Sequence, residues 1–86
     1  MYRRSEPFET ELDDQRLFLR VPSADAGRWF VLDGTARSLW EVLERPADKD
    51  AIVRDLRERY TDDGRLESDV VEVLDEWCRL GLVTNG

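Results

Sequence analysis

The 86-residue chain contains no histidine, one cysteine, three prolines and five glycines. Without imidazole there is no histidine general base. There is also no Ser-His or Cys-His nucleophile pair and no imidazole metal site. Cys78 stands alone, so no intramolecular disulfide can form. The first residues, Met1-Tyr2-Arg3-Arg4-Ser5-Glu6, lead into no apolar run, which excludes a signal peptide or a membrane span there. A reduced, cytoplasmic setting is the expectation. Positive charge is scarce too: Lys and Arg number 13 against 20 Asp and Glu, a formal net charge of −7. That balance opposes nucleic-acid binding, which needs a basic face to displace counterions, and opposes a polybasic membrane anchor.

What is present is periodic. Phe8, Thr10 and Leu12 alternate with Glu9 and Glu11, which predicts a half-buried strand over Pro7–Asp13. Asp13-Asp14 then reads as a turn. Leu17, Leu19 and Val21 alternate with Arg16, Phe18 and Arg20 in a second strand, and "PSADAG" (Pro22 to Gly27) has loop chemistry. Arg28 to Asp33 makes a third strand, rich in aromatic and β-branched residues. The short connections favour an antiparallel meander.

The period then changes. Ala36, Leu39, Trp40 and Leu43 lie at helical spacing, with Asp33 or Thr35 available as N-cap and Pro46 ending the segment. Asp48 is the expected N-cap of a second helix with a stripe of Ile52, Val53, Leu56 and Tyr60, broken by "TDDG" (Thr61 to Gly64). A third helix runs from Leu66 or Glu67 to Leu80, closed by Gly81 as a left-handed cap, with Leu82-Val83 as a short terminal strand. The order βββααα is an α+β fold with the sheet first. The length fits one domain over 1–86 with an ordered core of about 8–83.

Two elements carry more apolar surface than one core requires. On the third helix Val70, Leu74 and Trp77 lie at the centre of the arc, Val71 and Cys78 on one flank, and Val73, Leu80 and Leu66 on the other. This arc exceeds the stripe of about 100° that packing on one core needs. On the third strand Phe30 and Leu32 share one face, and Trp29 and Val31 share the opposite one. A sheet covered on one side has no need of two apolar faces. Either one flank of the helix and one face of the strand are covered internally, or a partner covers them. If the third strand is also a sheet edge, it is a template for an added peptide strand. Trp40 reads as core, whereas Trp29 and Trp77 read as bordering a docking groove; Trp77→Ala is expected to weaken binding more than it destabilises the fold.

The stretch "GRWFVLDGTARSLWEVL" (Gly27 to Leu43) resembles the PqqD-like family, the recognition elements for precursor peptides made on ribosomes and then modified. The family pattern is roughly Gly-x-aromatic-x-x-Leu-Asn-x-Thr-Ala followed by a helix with an apolar-Trp pair. Gly27, Trp29, Leu32, Asp33, Thr35, Ala36, Leu39 and Trp40 supply it, with Asp33 in place of the commoner Asn. Asp69-Val70 and Gly81-Leu82-Val83 match the family's later landmarks. The resemblance implies a winged-helix-like fold of three strands and three helices. It implies a non-catalytic protein without cofactor that takes the leader of a precursor peptide as an added strand, and the length suggests a stand-alone one. The partners implied are that leader and a maturation enzyme (a peptidase, a cyclase or a radical maturase), as in lasso-peptide pathways. Carried over by position, the platform is Arg28, Trp29, Phe30, Val31 and Leu32. The facing wall is Asp69, Val70, Val73, Glu76, Trp77 and Leu80.

Other readings fit less well. A winged-helix DNA-binding regulator would present Arg, Lys or Asn on its last helix, which here is mainly acidic outward. A generic peptide-binding subunit would use the same groove for another ligand. An enzyme would need more than Asp13-Asp14 and Asp62-Asp63, which sit where turns are expected. "TDDGRLESD" fails as a calcium loop because Arg59 stands where the first ligand should be. Cys78 lacks a base, and core packing explains it better.

Overall fold

The computed structural model of the protein describes residues 1–23, 27–61 and 64–86. The strands are β1 (Tyr2–Arg4), β2 (Glu9–Asp13), β3 (Arg16–Arg20), β4 (Trp29–Leu32) and β5 (Val83–Asn85). The helices are α1 (Gly34–Val42), α2 (Lys49–Arg59) and α3 (Leu66–Leu80). The antiparallel meander is β2-β3-β4, and it precedes the three helices, as the alternation and the change of period require. The middle of the "PSADAG" loop, Ala24-Asp25-Ala26, and the Asp62-Asp63 pair lie outside the described residues.

The structure departs from the sequence reading at the N-terminus. β1 pairs antiparallel with β5, Arg3 opposite Thr84, in a second small sheet, and Tyr2 exchanges backbone hydrogen bonds with Ala47 at 2.8 and 3.0 Å. This small sheet brings the two ends of the described chain together. A three-residue strand is too short to show an alternation, so its partner had to be seen. β2 also differs: all five of its residues are exposed, Leu12 at 67%. Thr10 and Leu12 do share a face with Leu19 and Leu17, their register partners, but on this edge strand they line an open depression beside Arg37, Trp40 and Glu41 of α1 instead of joining the core.

β3 behaves as its alternation predicts, with Leu17 and Leu19 buried. They join Leu32 of β4, Leu39, Trp40 and Leu43 from α1 and its end, Ile52, Val53 and Leu56 of α2, and Leu66, Val70, Leu74 and Trp77 of α3 in one core. No charged or polar residue is buried among the described residues. Trp40 lies at the junction. Its ring meets Phe8 edge-on at 5.2 Å and Trp77 at 5.8 Å, and the Arg4 guanidinium lies over it at 4.8 Å. Arg4 also donates two hydrogen bonds to the Trp40 carbonyl, near the C-terminal end of α1 where cations are favoured. Burial lowers the Arg4 pKa against the opposing pull of Glu44, Glu41 and Glu6, and the guanidinium remains a cation.

Caps set the helix ends. Asp48 accepts from the Ala51 N–H at 2.8 Å, as its position predicts. Asp33 takes the N-cap position of α1, yet its side chain makes no capping bond; its backbone carbonyl receives the Ala36 and Arg37 N–H groups instead. Gly81 has φ +83°, in the left-handed region, and the Leu82 N–H returns to the Trp77 carbonyl at 2.9 Å. This turn sends Leu82 and Val83 back into the core and aims β5 at β1.

Replacing Trp40 with alanine removes three packing partners at once. The expected cost is about 3–5 kcal/mol of stability, read as a lower denaturant midpoint.

Candidate functional site

β4 is an edge of the three-stranded sheet, since β3 alone pairs with it among the described strands. Its four residues, Trp-Phe-Val-Leu, carry no charge. The other edge, β2, carries Glu9, Glu11 and Asp13. Charges along an edge discourage pairing with another chain. One edge is thus guarded by three carboxylates and the other is left open.

Beside the open edge lies a cleft of about 470 Å³, lined by Phe30, Val31, Leu32, Ala36, Glu72, Val73, Glu76 and Trp77. Phe30 and Leu32 provide the β4 side, Ala36 the end from α1, and the four α3 residues the far wall. Helical spacing builds that wall: 72, 73, 76 and 77 repeat at intervals of one and four, so Val73 and Trp77 stack one above the other, as do Glu72 and Glu76. The Val73 flank of α3 is the one that faces the cleft. Val71 and Cys78, on the opposite flank, are half-buried and lie outside its lining.

Of the residues expected at the site, Phe30, Val31, Leu32, Val73, Glu76 and Trp77 meet in this cleft. Arg28 lies just before β4, exposed, with its guanidinium 4.7 Å from the centre of the Phe30 ring. Trp29 is 45% exposed on the opposite face of the sheet, with Val31 beside it at 54%. The half-buried Phe18 stands opposite Val31 in register and extends that outer apolar face. Asp69 is exposed one turn before Val73, and Leu80 is half-buried one turn beyond Glu76. Val70 is a core residue at 1% exposure and lines no part of the cleft. Ala36 and Glu72 were missed. Helical spacing from Val73 and Glu76 places Glu72 on the same wall, whereas Ala36 reaches the site only because α1 turns in directly after β4.

Trp77 is 5% exposed and packs on Trp40, which corrects its assignment as mainly a groove residue. Only an edge of the ring borders the cleft, while most of it lies in the core.

Gly27 explains how β4 is aimed. Its φ of +72° suits a residue without Cβ, and an added Cβ would come within 3.2 Å of the Arg20 guanidinium. Arg20 donates to the Gly27 carbonyl at 2.8 Å and pairs with Glu9 at 2.9 Å, tying the entry of β4 across β3 to β2.

An uncharged strand edge beside an apolar cleft is an arrangement that can hold an extended peptide. Among the described residues no group of three acidic or cysteine side chains could hold a metal. Burial, with Asp75 adding, pushes the Cys78 thiol up and away from reactivity. A larger depression of about 620 Å³ lies at the β2–β3 turn, but it is lined only by Asp13, Asp14, Gln15, Arg16 and Asp33 and offers no apolar anchor. The exposed face of α3 carries Glu67, Asp69, Glu72, Asp75 and Glu76, with Arg79 near its end, which suits no phosphate backbone.

The family model described as coenzyme PQQ synthesis protein D (PqqD) matches residues 12–83. The chain belongs to the PqqD family. The match runs from the end of β2 through the whole helical part, including β4 and α3, the two walls of the cleft. The fold is similar to that of a solved structure, TbiB1 in complex with the TbiA(beta) leader peptide. The two superpose with a TM-score of 0.82 at 21% identity, covering 98% of this chain and 96% of that one. Comparison with curated protein sequences gives no match. No helix among the described residues is long and apolar enough to cross a membrane.

Two outcomes check the burial read here. Trp77→Ala is expected to cost about 3–5 kcal/mol of stability, read as a lower denaturant midpoint, so any binding loss it causes is inseparable from unfolding. Iodoacetamide should label Cys78 more slowly in the native protein than in urea at the same pH, followed by mass spectrometry, because a raised pKa leaves less thiolate.

Proposed function

We propose that this protein is a non-catalytic carrier for the leader segment of a ribosomally made precursor peptide. The leader adds as a strand to the free edge of β4, drops alternate side chains into the cleft against α3, and is handed to a processing enzyme. The observation that carries this reading is the uncharged, unpaired β4 edge beside an apolar cleft. Membership of the PqqD family and a fold shared with a protein solved with its leader support it.

The division of labour follows from strand addition. Backbone N–H and C=O groups of Trp29 to Leu32 hold an extended chain whatever its sequence, and the side-chain pocket chooses among chains. Phe30, Leu32 and Val73 form that pocket, with Ala36 and the edge of Trp77 at its limits. Arg28 and Trp29 flank the entry, and Asp69, Glu76 and Leu80 mark the course of the leader along α3. Holding the leader raises the concentration of the attached core peptide at the enzyme to the order of millimolar for a short flexible link. No chemistry by the carrier is required, so the absence of histidine costs nothing. The carrier works in the cytoplasm, where ribosomal precursors are made.

Titration calorimetry with the leader encoded beside this gene tests the proposal. Val73→Lys is expected to weaken binding at least tenfold, about 1.4 kcal/mol or more, while changing fold stability by about 1 kcal/mol or less. N-methylating the leader amides at alternate positions should abolish binding in one of the two alternations and spare it in the other, because one set faces β4. Equal tolerance of both sets would rule out strand addition.

A further inference from the structure

The α3 wall of the cleft is apolar at its base and acidic at its lip. Val73 and Trp77 face inward, and Glu72 and Glu76 line the same cleft beside them. Asp69 continues the acidic row one turn earlier, exposed. Among the described residues Asp69 and Glu72 have no ion-pair partner, and Glu76 is engaged only by Arg79, three residues on and 72% exposed. Such an exposed pair contributes little and yields readily to a competing cation. The β4 wall brings no carboxylate: Trp29 to Leu32 are uncharged.

The spacings agree. In an added strand, side chains two residues apart point the same way and are separated by about 6.6–6.8 Å. Glu72 and Glu76, like Val73 and Trp77, are four residues apart and so about 6 Å apart along α3. These steps are similar in length, so a side chain two residues from one seated between Phe30 and Val73 is displaced by about one helical turn, a distance that matches the spacing of the carboxylates at the lip.

We infer that the cleft selects an extended segment with an aliphatic or aromatic anchor and a lysine or arginine two residues away on the same face. This rests on the leader-binding reading above and adds to it a charge rule set by Glu72 and Glu76. The cation's stem lies along the apolar wall while its head meets the carboxylates, an arrangement that suits long basic side chains. An acidic residue at that position is rejected, since it would face the two carboxylates without compensation.

The test is a phage-displayed library of random twelve-residue peptides panned against three proteins: the native chain, Glu72→Lys/Glu76→Lys, and Asp55→Lys/Glu58→Lys. The last pair sits on α2, outside the cleft, and changes the net charge equally. Circular dichroism melts confirm that each is folded, and Glu72→Gln serves if the double lysine variant is not. The native protein and the α2 variant should enrich Lys or Arg over Asp or Glu at two residues from the anchor by about threefold or more, as exposed ion pairs allow. The cleft variant should reverse that preference, and Glu72→Gln should shrink it. Enriched apolar segments without a charge preference, or a preference that both lysine variants lose alike, would overturn the charge rule and leave leader capture standing. A native protein that enriches no extended apolar segment overturns both.

Discussion

The Trp40 ring holds the three parts of this protein in register. Phe8 touches it from the approach to β2, Trp77 from α3 and Arg4 from β1, while its own backbone carbonyl takes the Arg4 guanidinium. The distance between β4 and α3, and so the width of the cleft, depends on this junction. A single residue, Asp33, separates β4 from α1, which carries Trp40, and Trp40 in turn packs on Trp77. The cleft between a strand and a helix far apart in sequence thus takes its shape from one buried aromatic. Its two walls are regular elements, the strand β4 and the helix α3.

The two sheet edges show how the same fold both invites and refuses pairing. An edge strand is a hazard unless something blunts it. β2 is blunted by Glu9, Glu11 and Asp13, whereas β4 has no such charge. In a chain with a net charge of −7, that segment is left neutral. The outer face of the sheet, where Trp29 and Val31 are exposed beside Phe18, continues from the same strand.

Much of the fold was legible because the patterns were strong. Leu17, Leu19 and Val21 alternate cleanly and are buried; Val70 and Leu74 lie near the centre of their helical arc and are buried. Asp48 and Gly81 sit where their capping chemistry predicts. β1 escaped because three residues carry no period, and β2 misled because alternation reports which side faces the core without reporting how far the core extends. Within the site, Phe30, Leu32 and Val73 could be found from surplus apolar surface. The core role of Trp77 could not, since a helical wheel does not distinguish a groove wall from a second core contact.

The sequence by itself determined the element order, the antiparallel meander, the helix stripes, the absence of histidine chemistry and the family resemblance carried by Gly27 to Leu43. These follow from local periodicity and residue type, which act over a few positions. Tertiary structure alone decided that β4 is an edge, that the Val73 flank of α3 faces it, that Glu72 stands at the lip and that the N-terminal strand closes on β5. Each of those depends on which distant surfaces meet. That is set by the packing of Trp40, Trp77 and Phe8 around one junction, which no local pattern encodes.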